Sequence, residues 1–297
     1  MDSLLIERAS NLTRCLFSTL ETDLKKSSGV DQNFYSVLKH LLWFRDDRAT
    51  AMLLLAKNGL LWDVDIIGRA FQVALVRFLF LCYSDSKSRQ TKLREFTVDL
   101  WNVHELFTTE QAKDLLDAVG TASWRNAVEP LMLPVEEVQK LRQRYSNKTR
   151  EALKQKWSFT GMLAEISQFA EAKYGVTFGA LMHQRTISSH FVHADETALG
   201  IMWDRVNRPS GEKEKLIDGH LIRILSDLLW FLVIARSALV YALGTSGIDD
   251  SFKSLVSEVK DLTQEFQKLE AKFWDSQTDF LAESKRRNLR KSQDSNS

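Results

Sequence analysis

The residues most able to do chemistry lie close together. His183 to Asp195, HQRTISSHFVHAD, holds three of the chain's six histidines, one arginine and two serines within thirteen residues. On a helix, at about 100° per residue, Arg185, Ser189 and His193 fall within roughly 80° of one another. His190 and His193 are one turn apart, and His183 and His190 are nearly in line. Ile187, Phe191 and Val192 supply apolar anchorage between them.

Histidine has the unperturbed pKa closest to neutrality, so it can both take and give a proton. Arginine carries a fixed cation whose fork matches a phosphate. Together these groups meet the minimum need of metal-independent RNA cleavage: a base for the 2′-hydroxyl, an acid for the leaving oxygen, and a cation for the phosphorane charge. The candidate catalytic residues are therefore Arg185, His190 and His193, with Ser189 in support. The competing reading is a polar face on a core helix that caps carbonyls or pairs with acids. Metal binding is the weaker chemistry. His190 and His193 have a helical ligand spacing near Asp195 and Glu196, but no second cluster and no HExxH accompany them. The expectation is no metal and no cofactor.

The elements around this stretch read as helices. Gly (12) and Pro (3) are scarce, which favours helix and leaves few turns for a sheet. Ser3 starts a helix that runs to about Lys26. Asp31 caps a second, which ends at the C-cap signal Asn58-Gly59. Leu60 to Tyr83 follows, and the short turn makes the two an antiparallel hairpin. Arg69 lies one turn after Asp65, close enough to pair with it; the sharper reading places Arg69 beside the histidines.

A helix is expected over 86–107, and Thr109 begins a capping-box-like start for a short helix ending at Gly120. The segment with Pro130 and Pro134 is a connector. Val135 to Trp157 reads as one helix striped by Val138, Leu141, Tyr145, Ala152 and Trp157. Its other faces carry a dense basic patch. The candidate RNA-backbone contacts are Arg142, Arg144, Lys148, Arg150 and Lys154; a solvated face is the default. Phe159 to Tyr174 is amphipathic. After the histidines, DETALG and VNRPSGEKEK suggest a partly irregular connection with a turn at Pro209 and Gly211.

Leu216 to Leu243 is the most apolar stretch. Asp227 and Arg236 flank its run LLWFLVIA, so it reads as a buried central helix with no membrane partner. Ser251 to about Ser284 repeats every seven residues: Phe252, Val259, Phe266, Phe273 and Phe280, with Leu255, Leu262 and Leu269 three later. That is an a/d seam able to self-associate or to dock a partner protein. The tail is basic, then polar. The domain reading is a helical core over 1–245, a long amphipathic helix over 246–284, and a tail over 285–297.

Formal charge is +1, so a polyanion partner would need local patches instead of a global field. Cys15 and Cys82 lie in apolar helical patterns and show no disulfide framework. The first ten residues lack the pattern of a secretory signal. A cytoplasmic location is expected.

Arg185-Thr-Ile-Ser-Ser-His190 matches the pattern of Arg, four to six residues, then His, and so resembles the HEPN superfamily. Thr186 stands where its nucleases usually carry Asn, Asp or His. KNGLLWDVDIIGRAFQVALVRFLFLCY followed by ISSHFVHAD also resembles an uncharacterised bacterial helical family. The likeness covers roughly residues 35 to 243. The HEPN resemblance implies an all-α multi-helix bundle, often dimeric. It implies a metal-independent ribonuclease acting as a toxin or anti-phage effector on RNA, with Arg185 as phosphate-binding cation and His190 as acid or base. The second resemblance points to His193, preceded by Val192. The alternative function is a non-catalytic helical module that docks a partner through 251–284.

Overall fold

The computed structural model describes residues 3–26, 31–119, 122–174, 178–244 and 249–275. Among them the fold is all-α, as expected. The helices are α1 (Ser3–Lys26), α2 (Gln32–Lys57), α3 (Leu61–Cys82), α4 (Ser86–Arg94), α5 (Leu100–Val119), α6 (Ala122–Val128), α7 (Val135–Arg144), α8 (Asn147–Lys156), α9 (Phe159–Tyr174), α10 (Gly179–His193), α11 (Glu196–Asn207), α12 (Ser210–Leu243) and α13 (Asp250–Asp275).

The chain divides into two compact units. One comprises Met1–Ser27, Lys39–Leu75 and Gly179–Ser297; the other comprises Ser28–Leu38 and Val76–Phe178. The first is built around α12. Leu225, Leu229, Leu232, Ala235 and Leu239 are fully buried on it, and α1 and α13 pack against it. α12 is long and apolar enough to cross a membrane, and most of its apolar stretch is buried inside this unit. It ends where Gly244 takes a left-handed backbone, φ 63°, which glycine adopts without a Cβ clash.

The α13 seam packs within the chain. Phe252, Val259, Leu262 and Phe266 are buried, and their helix packs on the chain's own α1 and α12. Arg236, also buried, ties the three together. Its guanidinium lies 2.8 Å from Asp23 on α1 and 3.1 Å from Asp249, and 3.8 Å over the Phe252 ring. Arg8 of α1 adds an ion pair to Glu265 of α13 at 2.8 Å. These heptad positions find mates on α1 and α12. Phe280 and the expected tail lie outside the described residues.

The α2–α3 hairpin forms as expected. The Asp31 carboxylate accepts from the Phe34 N–H at 3.0 Å and caps α2. At the far end the N–H groups of Gly59 and Leu60 donate to Ala56 and Leu55, and Gly59 has φ 74°. Met52 packs against Gly68 and the Arg45 guanidinium lies over Phe71, contacts that place the two helices antiparallel.

Three expectations change, two of them in the second unit. Residues 86–119 form a continuous helical run, interrupted only by one wide turn, a π-helix, at Glu95–Asp99. Thr109 therefore starts nothing; its hydroxyl accepts from the Leu133 N–H and holds the proline-containing connector. A capping residue works only where the preceding chain is non-helical, and here α5 runs straight through it.

The basic helix expected over 135–157 is two helices. Tyr145 leaves helical geometry (φ −112°, ψ 82°), and the Ser146 hydroxyl caps α8. The break lets Tyr145 bury beside Val103, Leu106 and Leu141 while its hydroxyl donates to Asp99 at 2.6 Å. Ala152, assigned to the same stripe, is exposed because the break puts α8 out of phase with α7.

The third revision belongs to the first unit: 196–207 is helical, not irregular. Asp195 caps α11, and only Arg208 and Pro209 separate it from α12.

Candidate active site

α10 carries the histidine stretch. Its apolar side is anchored by Phe191, whose ring packs against Trp62 of α3 at 4.4 Å, and by the buried Ser188. Thr186 turns its hydroxyl onto the Met182 carbonyl of its own helix at 3.0 Å. The side chain of His183 lies outside the described residues.

Arg185 is half-buried. Burial lowers its pKa from the usual arginine value, and the nearby Arg69 cation on α3 lowers it further. Arg69 is thus close enough to repel Arg185, and its Nη1 is buried with no hydrogen-bond partner among the described residues. Its expected ion pair with Asp65 is not found among the described residues, where Asp65 has other partners.

Asp65 turns instead toward α12. His220 Nε2 lies 2.7 Å from one carboxylate oxygen and Arg223 Nη2 lies 2.8 Å from the other. Asp65 is only 3% exposed, so its charge must be met by the helix packed on it, not by a neighbour on its own surface. Burial alone would raise the Asp65 carboxyl; the hydrogen bond from His220, with the charge and hydrogen bond of Arg223, outweighs it and holds the pKa below the usual range. Arg205 of α11 donates to His220 Nδ1 at 3.2 Å and lies 3.9 Å over the Trp62 ring. His220 therefore carries its proton on Nε2. Burial, aided by Arg223 and Arg205, pushes its pKa down, so it is neutral. Asp227, two turns along α12, is pushed up to about 6 by burial, against the pull of Arg223.

His190 has a different setting. Its Nδ1 lies 2.6 Å from Asp195 Oδ2, and the imidazole is 31% exposed. The other carboxylate oxygen of Asp195 accepts from the N–H groups of Thr197 and Ala198, at 3.0 and 3.2 Å. Ser189 is half-buried and His193 exposed. The segment thus divides: Arg185 lies near Arg69, whereas His190 leans to Asp195 at the end of the helix.

The candidate RNA-binding residues lie in the second unit, and several have local partners. Arg142 pairs with Glu110 at 2.9 Å, Arg144 with Asp99 at 3.5 Å, and Lys154 with Glu151 at 3.0 Å. Arg150 bonds to Asn147, and Lys148 is exposed.

Reading the sequence missed Asp65 with its true partners, Arg205, His220 and Arg223. A signal existed: His220, Arg223 and Asp227 sit at i, i+3 and i+7, a polar stripe on a long apolar helix, matched by Trp62, Asp65 and Arg69 on α3. No group of three or more His, Cys, Asp or Glu able to hold a metal occurs among the described residues. Comparison with family models, with curated proteins and with solved structures finds no match.

Proposed function

We propose that the chain is a metal-independent ribonuclease whose reacting groups are His190 and His193, with Arg185 and Arg69 binding the phosphodiester. The observation that carries this reading is the His190 imidazole, accessible on α10 and held 2.6 Å from the Asp195 carboxylate. Arg185 on the same helix and Arg69 on α3 are the cations available to a phosphodiester.

In the reaction the 2′-hydroxyl gives its proton to His190 and O2′ bonds to phosphorus. The P–O5′ bond breaks, O5′ takes a proton from His193, and the guanidinium groups stabilise the doubly charged phosphorane. A 2′,3′-cyclic phosphate and a 5′-hydroxyl result. The HEPN resemblance supplies the biological setting, a toxin or anti-phage effector acting as a homodimer.

The test is cleavage of single-stranded RNA in EDTA by the purified chain and by His190→Ala, His193→Ala and Arg69→Met variants. The expected result is cleavage by the wild type and losses of about 10²-fold for each histidine variant. Cleavage unchanged in both histidine variants would overturn the assignment.

A further inference from the structure

We infer that Asp195 is a positioning residue, which holds the His190 ring with its proton on Nδ1 and so leaves Nε2 as the proton acceptor. The chemistry assigned to that acceptor rests on the nuclease reading; the orientation of the ring does not.

The turn after α10 is strained. Ala194 has φ 47°, the one positive φ at a non-glycine residue among those described. An L-residue with a Cβ is strained there by about 1–2 kcal/mol, and glycine would avoid the strain. The strained turn brings the Asp195 N–H to the His190 carbonyl at 3.3 Å and the Ala194 N–H to that of Phe191 at 3.3 Å. It folds the chain back so that a carboxylate five residues downstream meets the imidazole at 2.6 Å. Strain of this kind persists where surrounding contacts over-determine it, and it clusters at functional sites.

The two carboxylate oxygens divide the work. Oδ1 is occupied by the first N–H groups of α11, which fixes the plane of the group. Oδ2 is left to the ring. The hydrogen bond from His190, with those backbone bonds, holds the Asp195 carboxyl below the usual range, so it is ionised and can only accept. The proton in the 2.6 Å contact must therefore sit on Nδ1. In a neutral imidazole that leaves a lone pair on Nε2, which has no hydrogen-bond partner among the described residues. Once Nε2 takes a proton from the 2′-hydroxyl, the same carboxylate stabilises the imidazolium. This assigns His190 the role of base and leaves the acid to His193.

The experiment reads the tautomer directly, by ¹⁵N NMR of the His190 ring in the full chain above pH 7. Asp195→Ser keeps a cap oxygen but is too short to hold the ring. Asp195→Asn keeps the cap and the reach but not the charge. The wild type is expected to show the Nδ1–H form; both variants are expected to lose that preference and to lower RNA cleavage by about 10²-fold. An Nε2–H ring in the wild type, or the same tautomer in wild type and both variants, overturns the inference whatever the RNA does. A wild type that locks the tautomer through Asp195 yet cleaves no RNA supports the inference and removes only the nuclease reading.

Discussion

Two aspartate–histidine pairs of nearly equal length sit in the first unit, and they do different work. His220 lies 2.7 Å from Asp65, and both side chains are buried, 7% and 2% exposed. His190 lies 2.6 Å from Asp195, with 31% and 42% exposed. In the buried pair both ring nitrogens are spent, Nε2 on Asp65 and Nδ1 on Arg205. In the accessible pair only Nδ1 has a partner among the described residues. Distance alone does not separate a latch from a reacting group; what remains on the second ring nitrogen does. The buried pair spans α3 and α12 and holds them in register. The accessible pair spans one turn, so its loss need not loosen the fold.

The largest expected effect is on the latch. Asp65→Ala leaves the buried His220 Nε2–H without its acceptor and Arg223 with only Asp227 at 3.8 Å, and should cost about 1–3 kcal/mol, read as a drop in the urea midpoint. An effect below about 1 kcal/mol would mean that α3 and α12 are held by apolar contacts alone.

The pH dependence sharpens the same contrast. The folded pKa of His220 is depressed, so its contribution is complete above the ordinary histidine value and is lost as pH falls through the folded one. Asp227 runs the other way: raised to about 6, its contribution is present below the ordinary aspartate value and lost as pH rises through about 6. Asp227→Asn should therefore stabilise the chain by about 1 kcal/mol at pH 8 and by little at pH 4. His220→Gln should flatten the acid side of the stability curve. Thermal melts from pH 4 to pH 8 check both, and an Asp227→Asn gain that is larger in acid would contradict the assignment.

The smallest effect belongs to the turn of the accessible pair. Ala194→Gly relieves the left-handed strain and loosens the unfolded chain, terms of opposite sign. A net gain of up to about 1 kcal/mol is expected in calorimetry. A marked loss would show that the Ala194 methyl packs in a way the turn itself does not require.

The sequence made some of this visible and not the rest, and the reason is where each partner lies. The Asp31 cap, the Asn58-Gly59 stop and the heptads of α13 are written in neighbouring residues, so local chemistry exposed them. The buried role of α12 followed from its apolar run. Asp65 was misassigned because an i, i+4 arginine was visible and the true partners are 155 and 158 residues away. The turn at Ala194 carries no glycine to announce it, so nothing local marks where α10 ends and α11 begins within the partly irregular connection expected there. Tyr145 broke the basic helix because burying its ring and reaching Asp99 outweighed helical continuity, a tertiary gain that no periodicity records. His190 was legible as a candidate; Asp195 was seen as a neighbour and not as the group that orients it.

The most direct test crosses the two pairs in one experiment: His190→Ala and His220→Ala, each measured for RNA cleavage in EDTA and for thermal stability. The account requires His190→Ala to lose cleavage while its melting point stays near that of the wild type, and His220→Ala to lose stability while retaining cleavage below its melting point. The reverse pattern, or cleavage unchanged in His190→Ala, would contradict it.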